Sequence, residues 1–281
     1  MQKERYFVIN SSILRIIAML ATLLDHVAVF FINNYILYYI FRAVGRLSFV
    51  IFAFFIVEGV KHTKNPLRYL GRLFILYLIT QAIVSIPLLY NPDLIIHGNV
   101  FLTLLGGASI LVYFHHKKYK HVYLLLPSIA LITLTTLSLI FPTNTVLLSF
   151  TPQYMIYGYL LILLFYLANI FTRSSLRFIE RKYSLPEASL NETMTAQKVN
   201  NAYSCILLFI LTFFWYLLSR WTFRTGVEPY IQTYALLALP LLALYNGELG
   251  YRAKWWRVTY YLFYPVHLII LGIIYALIYL L

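Results

Sequence analysis

The chain is a succession of apolar runs, each about 20 residues long and divided from the next by a short polar or basic stretch. A helix of that length matches the hydrocarbon core of a bilayer, and in lipid a helix is one of the few forms that satisfies its own backbone. The expected fold is therefore all-α: a polytopic transmembrane helical bundle of about nine helices. The runs cover residues 12–32, 36–60, 69–90, 99–114, 122–141, 152–172, 202–219, 230–245 and 258–281. Composition agrees, since 11% of residues are charged where a soluble domain carries about a quarter. The first run holds Asp25 and His26, lacks a small-residue cleavage site and is too long for a signal peptide, so it is expected to stay as the first helix.

The cations set an orientation. With a cytoplasmic N-terminus, one face collects Lys3, Arg5 and Arg15, then Lys61, Lys64, Arg68 and Arg72, then Lys117, Lys118 and Lys120. The same face takes Arg173, Arg177, Arg181, Lys182 and Lys198, and lastly Arg252, Lys254 and Arg257. These are most of the 22 Lys and Arg; Arg220 and Arg224 fall opposite, and Arg42 and Arg46 lie within the second helix. Such asymmetry is the positive-inside pattern of a multi-pass protein of the cytoplasmic (inner) membrane. The formal charge of +13 is thus topology, with membrane lipids as partners and no nucleic acid. Trp255 and Trp256 read as an interfacial anchor. The polar stretch 173–201 reads as a cytoplasmic loop, and with no internal repeat residues 1–281 read as a single domain.

A charge inside the bilayer is costly unless paired or wetted, which makes the few intramembrane charges the candidates for function. On the first helix, Arg15 and His26 are separated by about three turns and share a face, ~16 Å apart along the axis. Asp25 points ~100° from His26, toward a neighbouring helix. Arg42 and Arg46, at i and i+4, share a face of the second helix, and an Asp25–Arg46 pair would neutralise both groups and orient His26. Glu58, Lys61 and His62 form a polar cluster at the other end of that helix, with Arg68 and Arg72 beyond it, suited to an anionic phosphate group. Asn99 and Thr103 open the fourth helix ahead of a Gly pair that marks close packing. His267 sits deep in the last helix beside Tyr264 and Pro265, where a loosened backbone favours a cavity. His115, His116 and His121 lack Asp, Glu or Cys at metal spacing, no metal is expected, and Cys205 alone excludes an internal disulfide. No Walker loop, dinucleotide fingerprint, nucleophile elbow or HExxH motif occurs.

The series LRIIAMLATLLDHVAVFF, VGRLSFVIFAFFIVEGVKHTKNPLRYLGRLF, NVFLTL, LLALYNGELG and FYPVHLIIL resembles the TraX family of integral membrane proteins, named for the acetylase of conjugative pilin. The resemblance implies an acetyl-coenzyme A-dependent acetyltransferase acting on a pilin N-terminus or, equally open here, another peptide amine or a glycan hydroxyl. A more distant likeness to membrane acyltransferases implies that His26 is the catalytic histidine, with Arg15 a helper near the donor. On this reading Asp25, Arg46 and His267 belong to the catalytic group. Arg15, Glu58, Lys61, His62, Arg68 and Arg72 hold the donor, and Arg42, Asn99, Thr103 and Tyr264 face the acceptor. A transporter or flippase, or a non-enzymatic assembly factor for a pilus or envelope polymer, would also use intramembrane charges and a basic rim, so both stand beside it.

Overall fold

The computed structural model describes residues 9–90, 98–186, 190, 194–222 and 228–279. Lys3, Arg5, Arg224, the gap at 91–97 and part of the 173–201 stretch lie outside the described residues. The elements are α1 (Ser11–Phe31), α2 (Tyr35–His62), α3 (Pro66–Tyr90), α4 (Val100–His115), α5 (Leu126–Ile140) and α6 (Thr145–Phe150). There follow α7 (Met155–Lys182), α8 (Met194–Thr222), α9 (Glu228–Ile231), α10 (Leu239–Ala243) and α11 (Lys254–Tyr279). Among the described residues, seven segments are long and apolar enough to cross a membrane; the expected fourth and eighth spans are the shorter Val100–His115 and Gln232–Ala243. Large apolar side chains stay open to the surroundings along these helices, among them Leu20, Ile129 and Phe214, as lipid-facing positions require.

Asparagines mark the starts. The side chains of Asn10, Asn34, Asn65, Asn99 and Asn144 accept from Ile13, Leu37, Arg68, Phe101 and Leu147 backbone N–H groups, at 2.9–3.1 Å, satisfying donors that a helix leaves orphaned. Residues 32–34 alone separate α1 from α2, so these helices form a tight antiparallel hairpin. Its packing depends on Gly45, where a Cβ would overlap the Asp25 side chain.

Two expectations need correction. The eighth run is not one helix: α9 gives way to a 3-10 segment over Gln232–Ala238 and then to the short α10. Pro240 has no N–H to continue an α-helical ladder, and the tighter winding ends there. The polar stretch 173–201 is helical over 173–182 and again from 194, because α7 and α8 run on past their apolar lengths. Exposed Arg, Lys and Ser side chains are compatible with a helix that has left the bilayer, so polarity alone misplaced the ends.

The chain packs as two compact units, one of Met1–Phe52 with Leu164–Tyr260, the other of Ala53–Leu163 with Tyr261–Leu281. In the second, α4 is the core helix: Val100–Ser109 are all buried, α3 and α5 pack on it, and the Gly106 carbonyl accepts from Ser128 Oγ at 2.9 Å. Gly107 lies against Ile162 with no room for a side chain. The first unit is closed by a clasp that joins the YNGELG segment to the start of α1. Ile9 N–H donates to the Leu244 carbonyl (3.0 Å), Asn246 N–H to the Ile9 carbonyl (3.0 Å) and Ser11 N–H to the Glu248 carbonyl (2.9 Å). Ser12 Oγ donates to the Leu249 carbonyl (3.1 Å) and accepts from Tyr251 N–H (2.8 Å). From α8, Asn201 Nδ2 donates to the Tyr245 carbonyl at 2.7 Å and is itself held by Gln197.

Gly250 makes the clasp possible: its φ is +69° and a Cβ there would press on Asn10 Oδ1 and Ser12 Oγ. Gly250→Ala is expected to cost about 1–3 kcal/mol, combining left-handed strain with that contact. Thermal denaturation of the purified full chain checks this, and a melting temperature equal to that of the unaltered protein would contradict it.

Candidate functional site

The first hairpin carries a buried ion cluster. Asp25 faces α2, and Arg42 Nη1 donates to its Oδ2 at 2.8 Å while Arg46 Nη2 donates to Oδ1 and Oδ2 at 2.9 and 3.1 Å. The expected Asp25–Arg46 pair is therefore present with Arg42 added, so Arg42, read as an acceptor-facing group, is held on the carboxylate. The i, i+4 spacing that places both arginines on one face also aims both at one acid. Arg42 further lies over the Tyr38 ring, 5.9 Å from its centre.

His26, next in sequence to Asp25, is partly buried and donates from Nδ1 to the Thr22 carbonyl at 2.9 Å. A carbonyl only accepts, so Nδ1 carries the hydrogen and the neutral ring has its lone pair on Nε2. That is the tautomer a general base needs. Three turns toward the clasp, Arg15 is only partly exposed and stacks on Tyr260, its guanidinium carbon 4.5 Å from the ring centre.

In the second unit the remaining candidates separate into two groups. Lys61 Nζ bonds Glu58 Oε1 at 2.8 Å, and His62 approaches Glu58 Oε2 at 3.4 Å with most of its side chain exposed. These neighbours on one helical face thus satisfy one another, an outcome their spacing permits but the phosphate-binding expectation did not include. Arg68 and Arg72 are exposed on α3, and Arg72 lies over Tyr69 and Tyr261 at 5.9 and 5.6 Å. No carboxylate among the described residues pairs with either.

His267 is buried and donates from Nδ1 to the Phe263 carbonyl at 2.8 Å, stacked on Phe263 and edge-on to Tyr264, which in turn meets Phe101. The carbonyl that Pro265 releases from the ladder belongs to Tyr261, so the loosened backbone is not what holds this ring. Asn99, read as acceptor-binding, is fully employed: besides capping α4 it donates to the Tyr77 carbonyl at 2.9 Å. Thr103 is buried, and its hydroxyl has no hydrogen-bond partner among the described residues. An apolar groove of about 420 Å³ beside Cys205, Phe209 and Pro240 carries no acid–base group.

Reading residues one by one missed Asn10, Ser12, Gln197 and Asn201, which fix the start of the helix that bears Arg15 and His26. The only signal for them was the YNGELG segment itself, whose partner lies more than two hundred residues away.

Membrane-length helices, with an ion cluster sealed into the first hairpin, are those of a multi-pass integral membrane protein. The model of the family described as "TraX protein" matches residues 10–275, nearly the whole chain, and the chain belongs to that family. Over 73 residues it is 41% identical to the "Probable fimbrial assembly protein FimC, serogroup H1" of Dichelobacter nodosus, a match covering 26% of this chain and 30% of that protein. No solved structure matches.

Proposed function

We propose that the protein is a membrane-embedded acetyltransferase that moves an acetyl group from cytoplasmic acetyl-coenzyme A to an amine or hydroxyl of an envelope or surface substrate. The observation that carries this reading is His26: its tautomer is set by the Thr22 carbonyl, and it stands next to the buried Asp25–Arg42–Arg46 cluster. His26 Nε2 takes the proton of the acceptor N–H or O–H as that atom attacks the thioester carbonyl. Arg46 contributes positive potential in a low-dielectric interior as negative charge grows on the carbonyl oxygen. Collapse of the tetrahedral intermediate breaks the C–S bond, and the coenzyme thiolate recovers the proton from the imidazolium. Membership of the TraX family and the likeness to a fimbrial assembly protein favour a pilus-related acceptor.

The donor's phosphates are assigned to Arg15, which shares a face of α1 with His26. Arg15→Ala is expected to raise the apparent KM for acetyl-coenzyme A about 10- to 100-fold, the worth of one charge-assisted hydrogen bond. Initial rates of coenzyme A release from protein in nanodiscs supplied with an envelope extract measure it, and an unchanged KM removes Arg15 from the donor site. The same assay tests the function: acetylated product with free coenzyme A supports the enzyme, whereas movement of an unmodified solute supports a transporter or flippase. The name of the D. nodosus relative favours one further reading, a non-enzymatic assembly factor, for which His26→Ala would be silent in pilus assembly.

A further inference from the structure

The start of α3 presents two arginines to the surroundings. Arg68 and Arg72 are exposed, four residues apart and so on one face of the helix. Arg72 is held in place: its guanidinium lies over the rings of Tyr69 and Tyr261, at 5.9 and 5.6 Å, and Tyr69 is itself buried with its hydroxyl against Gly59 of α2. Glu58 is the one acid among the described residues of the second unit, and Lys61 and His62, not these arginines, take its two oxygens. Like charges at this spacing repel, and an anion between them turns the repulsion into a clamp, since each guanidinium can donate two parallel hydrogen bonds to a phosphate. Gly71, between the two, leaves open space where a side chain would stand.

What lies beyond the arginines says which anion fits. Arg68, Arg72, Ile75, Ile79, Ala82 and Ile86 recur at alternating spacings of four and three residues, so they form one stripe along α3, and every one of them is exposed. The stripe is cationic at its start and apolar from Ile75 on. From Arg72 to Ala82 is ~15 Å along the axis, about half the hydrocarbon thickness of a bilayer and so the depth of one leaflet. A soluble phosphate would use the arginines alone, whereas an anionic phospholipid uses the whole stripe. We propose that α3 carries a site for an anionic phospholipid, with Arg68 and Arg72 on the headgroup phosphate and Ile75, Ile79 and Ala82 against one acyl chain. The site lies within the second unit and does not rest on the acetyl-transfer reading.

The test is native mass spectrometry of the purified full chain in detergent micelles, titrated with phosphatidylglycerol and, as the reference, with phosphatidylcholine of the same acyl chains. The unaltered protein is expected to bind phosphatidylglycerol in preference. In the double variant Arg68→Gln, Arg72→Gln the Kd for the first phosphatidylglycerol should rise about 25-fold, from about 5-fold for each arginine near a charged headgroup. The double variant Lys118→Gln, Lys120→Gln, which removes two exposed cations from the segment after α4, should bind as the unaltered protein does. Should the arginine variant melt lower than the unaltered protein in phosphatidylcholine nanodiscs, Arg68→Gln alone is read in its place, with about a 5-fold rise expected. No preference for phosphatidylglycerol, undiminished binding in the arginine variants, or an equal loss in the lysine variant would each overturn the site, the last because diffuse positive charge would then suffice. Equimolar coenzyme A is expected to leave the lipid in place, and displacement would give the arginines to a soluble phosphate and overturn the lipid assignment. No turnover is read, so a failure here leaves acetyl transfer standing, and failure of acetyl transfer leaves the lipid site standing.

Discussion

His26→Ala should lower acetyl transfer by about 10²- to 10⁴-fold, the usual contribution of a positioned general base, while the protein remains inserted and folded. The side chain bonds the Thr22 carbonyl of its own helix, which keeps its backbone ladder when the imidazole is removed, so a large loss of stability is not expected. This separation makes the variant informative: turnover in nanodiscs should collapse while the melting temperature stays near that of the unaltered protein. Turnover like that of the unaltered protein would remove His26 from the chemistry.

Asp25→Ala should have the largest effect on stability. The carboxylate is shared by two buried guanidiniums, and removing one member of a buried ionic group costs about 3–5 kcal/mol because a charge is left without that partner. A protein that still accumulates in the membrane but melts at a much lower temperature is the expected outcome. Replacing Arg42 and Arg46 by Leu in the same chain should recover part of the loss, since the interior is then apolar. Equal melting of Asp25→Ala and the unaltered protein would contradict the geometry of the hairpin.

The apolar run lengths were enough to place the spanning helices, because length and hydropathy are the same physical requirement in a bilayer. The spacing of Arg42 and Arg46 also made a shared face readable, and with it a partner at Asp25. The expected partner of the acid was Arg46 alone, and the carboxylate takes both arginines. The cluster of Glu58, Lys61 and His62 was expected to suit a phosphate, and within it Lys61 and His62 turn to Glu58. The ends of α7 and α8 were misjudged because a helix emerging into water no longer needs apolar residues. The clasp could not be read at all: Ser12 and Asn201 are ordinary polar residues in sequence, and their role is set by loop carbonyls far away in the chain.

The most direct test of acetyl transfer is a comparison of envelope proteins and glycans by mass spectrometry, from cells with the gene, without it, and complemented with either the unaltered protein or His26→Ala. The proposed activity predicts one species that loses an acetyl group on deletion, recovers it with the unaltered protein and fails to recover it with His26→Ala. Identical acetylation in all four strains, or full recovery with His26→Ala, would contradict it.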